Sequence, residues 1–538
     1  MSDNHKKKPL EFDNIINLIK SFKPLKRWIK YESQDDFTEI TFSFPNWSVL
    51  RENKYKTITT LNKSQQDLAK YVLQQWSDIA NIKFIEKNNS HDTNIKFGVY
   101  NNINELTNDT HHSIGGATFF PQNNINKNKK IAKVEDYSKG GQIWLNISET
   151  YLLKIIKKSE MTEHQRIKIN KFKENSDDIT TYFEEINDRI ILYINKNSNA
   201  HINNDILAPQ KGSYKECTYR HELGHALGLP HTFKSGEEFK YSEQNSLKYS
   251  VMAYNYPKEK DANFNFNYPM SPMLVDIYVI QKFYGKNMST RIDDTIYGFF
   301  SNTQRDFYTL KSPKDELVSC IWDAGGIDTL NFSQYNHVQK IDLNQGAFSD
   351  IGGLRGNISI AYDSIIENAI GGMGDDTIYG NEINNCLYGG EGNNILFGHN
   401  GNDTLYGGNG GDALYGGEDN DFLYGNSGND ILCGGNGINE LSGGEGRDIF
   451  IFNFYNKSNS QNIIRDFEKN DDFIVFVDED GINLNIDKLI SNNEIYLSMN
   501  YQEIDNITTI VLNNKKNLSL SILKVEILGE FNYEDLFN

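Results

Sequence analysis

The sequence predicts two domains of different classes: an α+β domain built around a zinc-binding helix and, after it, an all-β domain of the parallel β-roll type. Two observations lead to this prediction. A histidine-rich motif follows a segment in which strand and helix patterns are mixed, as is typical of α+β domains. A glycine-rich repeat with a period of nine residues then begins at residue 371, and a fixed short period is the signature of stacked repeats.

The length and composition of the chain limit the possible classes. Its 538 residues exceed one ordinary core, so two or three domains are expected. Acidic residues outnumber basic ones by 73 to 54, which gives a formal net charge of -19. This balance argues against nucleic-acid binding and suits solubility or cation binding. There is no apolar run of about 18 residues that would predict membrane insertion, and the first residues lack the apolar stretch of a signal peptide.

The α+β domain is assigned to residues 37–285, and the role of the segment before it is left open. Apolar residues at helical spacing within 10–30 fit either a surface helix or a removable prosegment, which would cover 1–36. After it the patterns predict a strand, an amphipathic helix and two strands, at 38–44, 63–82, 82–85 and 94–97. An insertion at about 150–212 is rich in Lys, Asn and Glu. Its composition fits either extra secondary structure or a mobile loop. The insertion could border a cleft and narrow the specificity, or it could have no role in binding.

The first domain is organised around two histidines on a predicted helix. Because His221 and His225 are four residues apart, they lie about 40° apart around the helix, as two ligands of a tetrahedral zinc require. Glu222 is one step round the helix, where it can hold a water without being a ligand. Gly228 permits the left-handed turn that ends a helix. The chain then doubles back, so that His231 can serve as a third ligand.

This motif resembles the zinc site of the metzincin proteases, and within them the serralysins, secreted zinc proteases of the RTX group. Ser250–Tyr254 resembles their Met-turn, which implies that Met252 packs beneath the zinc. The resemblance also implies that Tyr254 is an additional zinc ligand and a catalytic residue beside Glu222, because its hydroxyl would stabilise the oxyanion. A metzincin-type zinc protease domain is therefore expected, with one catalytic zinc.

The segment 140–146 resembles the serralysin edge strand that pairs with the substrate backbone, an arrangement that suits broad specificity. A core strand is the alternative. The edge-strand interpretation assigns substrate binding to Gln142, Trp144 and Asn146.

Nine consecutive units of the pattern GGxGxDxUx, where U is a large apolar residue, cover residues 371–451 of a second domain assigned to 286–538. Two units form one turn of a roll, with U facing inward and each GGxGxD turn offering carbonyls and a carboxylate to calcium. Position nine is mostly aromatic, which fits either stacking between neighbouring strands or a glycan-binding ladder.

Several calcium ions are expected in this RTX domain. The family resemblance adds segments upstream of the repeats to the expected calcium sites. The residues assigned to calcium are Arg291, Asp293, Thr295, Asp323, Gly325, Gly326, Asp328, Glu367, Gly372, Gly374, Asp376, Asp403, Asp412, Asp421, Asp430 and Asp448. Because calcium affinity depends on ligand charge, turn pairs with two aspartates at position six should fill first. These pairs are Asp403 with Asp421, Asp412 with Asp430, and Asp430 with Asp448.

Cys386 and Cys433 should face outward on opposite sheets of the roll, unable to form a disulfide, and Cys217 is expected to be a packing residue. A β-rich cap is predicted after residue 452. At the end of the chain the acidic Asp535 is followed by the apolar Leu536 and Phe537 and then by the polar Asn538. Apart from Asn538, this resembles the C-terminal type I secretion signal of the serralysins. The resemblance as a whole implies a secreted, monomeric zinc metalloendopeptidase that acts on proteins or peptides and is exported by an ABC transporter.

Overall fold

The structure is a computed structural model, and its described residues form two compact units. The first unit lies within Met1–Asn255 and Val279–Asn287, and the second within Tyr256–Tyr278 and Met288–Asn538. The predicted prosegment at 1–36 lies outside the described residues. No described helix is long and apolar enough to cross a membrane. The described residues are 37–46, 58–88, 93–100, 116–118, 142–146, 151–157, 181–186, 189–194, 212–232, 244–453, 460–478, 481–484, 488–489, 492, 495–514 and 523–537.

The first unit contains a mixed β-sheet and helices that follow the sequence prediction. Helix α1 starts with a reciprocal capping box between Asn62 and Gln65, and it buries Val72 and Trp76 along one stripe. The predicted strand–helix–strand–strand order is confirmed. Its helices are α1 (Lys63–Ile79), α2 (Tyr214–Ala226) and the part of α3 (Leu274–Tyr284) that begins at Val279. The strands are β1 (Thr38–Ser43), β2 (Ile58–Thr59), β3 (Ile82–Glu86), β4 (Ile95–Tyr100), β5 (Gly116–Thr118) and β6 (Gln142–Asn146).

The strand order in this sheet is β3-β1-β4-β6-β5, and β2 also pairs with β4. Strand β6 is parallel to β4 on one side and antiparallel to β5 on the other. The interpretation of β6 as an edge strand is therefore wrong, because both of its hydrogen-bonding sides are already occupied. Within the described part of the chain, the strand at this margin is β5, whose second side is paired with no other strand.

The insertion at 150–212 contains a separate three-stranded antiparallel sheet in the order β7-β9-β8. Of the two alternatives that the sequence left open, extra secondary structure is thus confirmed for these strands. The influence of the insertion on a cleft stays a prediction. The strands are β7 (Tyr151–Lys157), β8 (Thr181–Ile186) and β9 (Arg189–Ile194).

The second unit is dominated by two long sheets of mainly parallel strands. A sheet of seven strands runs in the order β14-β18-β20-β22-β24-β26-β28. Its strands are Lys340–Asp342, Thr377–Tyr379, Ile395–His399, Ala413–Gly417, Ile431–Gly435, Ile449–Asn453 and Phe473–Val477. A sheet of twelve strands runs in the order β11-β10-β13-β17-β19-β21-β23-β25-β27-β31-β30-β29. In chain order, the strands of this sheet are β10 (Ile296–Phe299), β11 (Thr309–Leu310), β13 (Thr329–Asn331), β17 (Asn368–Ile370), β19 (Cys386–Glu391), β21 (Thr404–Asn409), β23 (Phe422–Ser427), β25 (Ile438–Glu445), β27 (Gln461–Ile464), β29 (Ile495–Gln502), β30 (Ile507–Asn514) and β31 (Leu523–Leu528).

A small third sheet joins β12 (Ser319–Ile321), β16 (Ile358–Ile360) and β15 (Phe348–Ser349) in that order. A short 3-10 helix at Asp306–Tyr308 precedes β11. Helix α4 (Tyr533–Phe537) follows the last strand.

The repeat forms the predicted roll, with alternate units in the same sheet. Cys386 pairs with Thr404 and Leu387 with Leu405, an offset of 18 residues or two units. All nine position-eight residues have no exposed surface, from Ile378 to Phe450. Each unit therefore contributes one apolar side chain to the core between the two sheets, as predicted.

The aromatic residues at position nine stack on one another along both sheets. The ring centroids of Tyr388 and Tyr406 are 4.6 Å apart with an interplanar angle of 6°, and those of Tyr379 and Phe397 are 5.1 Å apart at 8°. Because neighbouring rings cover each other's faces, this geometry favours stacking over a glycan-binding ladder. Cys386 and Cys433 lie in different sheets and form no disulfide, as predicted.

Candidate active site and metal centres

Helix α2 is almost entirely buried and positions the first two histidines. Ser213 caps its first turn by accepting a hydrogen bond from the Glu216 amide at 3.2 Å. At the other end the amide of Leu229 reaches back to the carbonyl of Gly224 at 2.9 Å. Gly228 takes a φ of 106°, the left-handed conformation predicted for it. This sharp end allows the chain to bring His231 back toward the helix.

The three predicted histidines converge, and their ligand nitrogens all lie within 4.8 Å of one another. Nε2 of His231 is 2.9 Å from Nε2 of His225 and 3.1 Å from Nε2 of His221. Nδ1 of His221 lies 2.8 Å from the Val251 carbonyl, and Nδ1 of His225 lies 2.7 Å from the Leu229 carbonyl. Because Nδ1 of both helical histidines donates to a carbonyl, their Nε2 atoms carry lone pairs.

This donor set fits a zinc ion. Nitrogen lone pairs about 3 Å apart repel one another, whereas tetrahedral zinc with bonds of about 2.0–2.1 Å accommodates them. Burial lowers the pKa of His221 to about 4, although its hydrogen bond to the Val251 carbonyl opposes that shift. His221 is therefore neutral at pH 7, as a metal ligand must be. Cys217 is buried on α2 and does not join the cluster of metal-ligating groups found among the described residues.

Tyr254 and Glu222 complete the predicted site. The Tyr254 hydroxyl lies 2.6 Å from Nε2 of His231, so it can reach a metal held by the histidines. Tyr254 has 61% of its surface exposed, but its hydroxyl lies against the histidines. Partial burial there, and then the charge of Glu222, raise the pKa of Tyr254 to about 12 when no metal is bound. Glu222 is buried, with 4% of its surface exposed, and its effect on Tyr254 shows that the two side chains interact.

Met252 packs against the zinc helix at the point between its two histidines. A Cβ atom added to Gly224 would lie 2.6 Å from the Met252 sulfur and 3.3 Å from a ring carbon of Trp76. Glycine at 224 thus lets the Met-turn approach the helix closely. The Ser250 hydroxyl accepts a hydrogen bond from the Met252 amide at 3.0 Å and helps to hold this turn.

A buried ion pair within helix α2 was missed by the sequence analysis. Arg220, with no exposed surface, is paired with Glu216 one helical turn earlier. Nε of Arg220 also donates to the Gln75 side chain on α1 at 2.6 Å, and the second Glu216 oxygen accepts from the Gly212 amide at 2.8 Å. This network connects α1, α2 and the residue at the end of the insertion. The i,i+4 spacing of Glu216 and Arg220 was the available signal.

Comparisons with known proteins match both halves of the chain. A family model described as Matrixin matches residues 46–285, and one described as Peptidase M10 serralysin C terminal matches residues 286–537. The chain belongs to the serralysin family. Serralysin B of Dickeya chrysanthemi is 33% identical over 347 residues, which cover 63% of this chain and 58% of that protein. A serralysin of Photorhabdus luminescens is 32% identical over 336 residues, which cover 61% of this chain and 54% of that protein. The chain thus spans somewhat more than half the length of these two relatives.

The serralysin-like segments upstream of the repeats bring several predicted calcium residues together. The Thr295 amide donates to Oδ1 of Asp328 at 2.7 Å, and the Asp328 amide donates to the Glu367 carboxylate at 2.6 Å. Burial, and then the neighbouring Asp323, raise the pKa of Asp328 to about 8. Oδ2 of Asp328 is buried without a hydrogen-bond partner among the described residues.

The remaining residues of this upstream site lie close by. Gly325 and Gly326 have φ values of 148° and 133°, and a Cβ on Gly326 would lie 2.7 Å from the Asp293 carbonyl oxygen. The Arg291 guanidinium donates to the Trp322 carbonyl, with Nε at 3.1 Å. These glycines therefore permit the close approach of carbonyls that a calcium site requires.

The aspartates at position six of the repeats share one geometry. The Asp412 amide donates to Oδ1 of Asp430 at 2.7 Å, and the Asp430 amide donates to Oδ1 of Asp448 at 2.9 Å. The second oxygen, Oδ2, is buried without a hydrogen-bond partner in the described part of the chain. This holds for Asp403, Asp412, Asp421, Asp430 and Asp448. Orphaned, buried carboxylate oxygens fit a hard cation such as calcium.

Three details refine the predicted calcium set. Oδ2 of Asp376 accepts hydrogen bonds from the Gly372 amide at 2.6 Å and from Nε2 of Gln339 at 3.3 Å, so its turn differs from the others. A Cβ on Gly374 would lie 2.6 Å from the His337 carbonyl oxygen, which places this glycine in the same stack of turns. Asp472, which the sequence analysis missed, continues the stack: the Asp448 amide donates to its Oδ1 at 2.9 Å, while its Oδ2, like that of Asp376, already has a protein donor, the Glu468 amide at 2.8 Å. It was missed because it lies 24 residues after Asp448 rather than 18.

The predicted substrate-binding residues occupy an interior strand. Gln142, Trp144 and Asn146 lie on β6, in register with β4 from Lys96 to Tyr100. Their assignment to substrate binding stays a prediction, but the edge pairing from which it was derived is contradicted.

Proposed function

We propose that this chain is a secreted zinc-dependent endopeptidase whose C-terminal roll binds calcium. The convergence of three histidine Nε2 atoms, with the Tyr254 hydroxyl 2.6 Å from one of them, is the observation that carries this proposal. Family membership supports it.

His221, His225, His231 and Tyr254 would hold one zinc ion. Bound there, zinc would act as a Lewis acid toward the scissile carbonyl and make water nucleophilic at neutral pH. Glu222 takes a proton from the attacking water and delivers it to the leaving amine. Away from the metal, Tyr254 has a pKa raised to about 12, so its hydroxyl would be protonated there and able to donate a hydrogen bond to the oxyanion.

The substrate backbone would pair with β5 rather than with β6. Strand β5 lies at the sheet margin, antiparallel to β6, and its residues approach α2. Main-chain pairing with such a strand is largely independent of side chains, which supports proteins and peptides of varied sequence as substrates.

Calcium would stabilise the roll by neutralising the stacked carboxylates. Burial raises the pKa of Asp403 to about 7 and that of Asp421 to about 8, which reflects the unfavourable environment of these charges without a cation. Binding of calcium outside the cell would then couple folding to export. Export by a type I ABC transporter and a monomeric state complete the proposal.

Substitution of the general base tests the catalytic part of the proposal. Glu222→Ala should retain zinc and the fold but lose about three or more decades of kcat. Casein hydrolysis, together with zinc content measured by atomic absorption, checks this result. Glu259→Ala, at an exposed glutamate, is the matched control and should keep full activity. Substantial proteolysis by pure Glu222→Ala protein would contradict the mechanism.

A further inference from the structure

Position six of the repeat is asparagine in three units, at Asn385, Asn394 and Asn439, and aspartate in the other six. All three asparagines are buried, with 3% or less of their surface exposed. They also lie in the same stacks of turns as the aspartates with unpartnered Oδ2 atoms, because backbone amides and Oδ1 atoms are bonded 18 residues apart in the same way.

In the Asn394 turn, the side-chain amide nitrogen Nδ2 lies where the aspartate turns have the unpartnered oxygen Oδ2. Its Oδ1 accepts the Asp376 amide at 2.9 Å, just as Oδ1 of Asp430 accepts the Asp412 amide. A Cβ added to Gly389 would lie 2.7 Å from Nδ2 of Asn394. A Cβ added to Gly407 would lie 2.4 Å from Oδ2 of Asp412.

The amide nitrogen makes hydrogen bonds that an aspartate oxygen cannot make. Nδ2 of Asn394 donates to the carbonyls of Glu391 and Gly392 in its own turn, at 3.4 and 3.3 Å. Nδ2 of Asn439 donates to the Gly435 carbonyl at 3.4 Å and to the side chain of Asn462 at 3.1 Å. In the asparagine turns these carbonyls therefore accept hydrogen bonds from an N–H group. In the aspartate turns a carboxylate oxygen without a hydrogen-bond partner lies at the same position.

The side-chain amide of Asn385 also has all its partners within the protein, but they differ from those of Asn394 and Asn439. Nδ2 of Asn385 donates to the Glu367 carbonyl at 2.9 Å and to the Asn381 side chain at 3.1 Å, while its Oδ1 accepts the Asn381 amide at 2.8 Å. All of its polar side-chain atoms thus have partners within the protein.

We propose that the asparagine turns are closed by their amide groups and bind no calcium, so that the roll contains three turns that are complete without a cation among turns that depend on one. This inference rests on the proposed binding of calcium by the aspartate turns. An aspartate at position six has only acceptor oxygens and therefore requires a cation. An asparagine at the same position carries its own N–H donors and does not.

The test is the number of calcium ions bound per chain, measured by native mass spectrometry after dialysis at fixed free calcium. All variants are made in Glu222→Ala protein to prevent self-digestion. Asn394→Asp completes one aspartate pair with Asp412 and another with Asp376, so it should gain at least one calcium ion and at most two. Asn439→Asp, in the other stack of turns, completes one pair with Asp421 and should gain one. Asn506→Asp is the matched control: it adds the same charge at an exposed position in the turn between β29 and β30, outside the repeat, and should leave the count unchanged.

Asn394→Ala separates the two readings of the asparagine. If the amide closes the turn, this variant keeps the calcium count and melts at a lower temperature in chelator. Loss of one calcium ion would show that Asn394 is itself a ligand, and an unchanged count in both Asp variants would equally overturn the inference. If Glu222→Ala protein without further changes binds no calcium at all, calcium binding by the roll fails as well.

Discussion

Gly224 offers a direct test of the Met-turn packing. In Gly224→Ala the new Cβ would lie 2.6 Å from the Met252 sulfur, and Met252 has only 2% of its surface exposed. Crowding of this kind costs about 1–3 kcal/mol, whereas alanine in a helix gains about 1 kcal/mol over glycine. The substitution should therefore reduce the free energy of unfolding by up to about 2 kcal/mol, because the crowding cost exceeds the gain in helix propensity over most of this range.

The sign of this effect should reverse when the methionine is shortened. In a Met252→Ala background the sulfur is gone, so Gly224→Ala should stabilise α2 by up to about 1 kcal/mol. Hydrogen-exchange mass spectrometry on peptides covering 214–227 is the appropriate assay, because it reports on this helix alone.

A second glycine provides the control for this double-mutant cycle. Gly228→Ala places a side chain at a φ of 106° and should cost a similar amount with or without Met252. The packing argument is refuted if Gly224→Ala is equally destabilising in both backgrounds.

Three further results are expected. Tyr254→Phe should lower kcat by roughly one to three decades with little change in KM and with zinc retained, and steady-state kinetics with zinc analysis would expose a purely structural role if the metal were lost. Asp430→Asn should cost more calcium-dependent stability in a chelator titration than Asp376→Asn, because Asp430 serves two aspartate pairs and Oδ2 of Asp376 already has protein donors; equal costs would contradict this ranking. The metal-free roll should lose stability as pH rises from about 4 to 8, because the folded position-six aspartates have pKa values raised above the unfolded value of about 3.9 and release their protons in this window. Thermal melts in chelator across this pH range check the last result, and a rise in stability would give the wrong sign.

Much of the fold could be predicted because its signals are local and periodic. The apolar residue in each repeat unit recurs every nine residues, and all nine are buried. The zinc ligands could be found because a helix fixes the spacing of His221 and His225, and a glycine turn fixes the return to His231.

Other features could not be predicted because they depend on contacts distant in the chain. Strand β6 resembles an edge strand in sequence, but its neighbour β5 is a strand of three residues with almost no pattern of its own. The partner of Arg220 on α1, Gln75, is 145 residues away. Asp472 could not be found from the repeat because β26 and β28 pair with an offset of 24 residues instead of the 18 residues of two repeat units.

The end of the roll has a consequence for self-association. A stack of identical parallel rungs is open-ended, and its last strand presents unpaired amides and carbonyls to any chain of similar pattern. In the twelve-stranded sheet the parallel series ends at β31, after which β30 and β29 run antiparallel. Beside the last strand of the seven-stranded sheet lies α4, with Asp535 in a salt bridge to Lys469 at 2.5 Å. A change of strand direction on one sheet and a helix on the other make the roll finite, and they protect a repetitive surface from growing into a fibre.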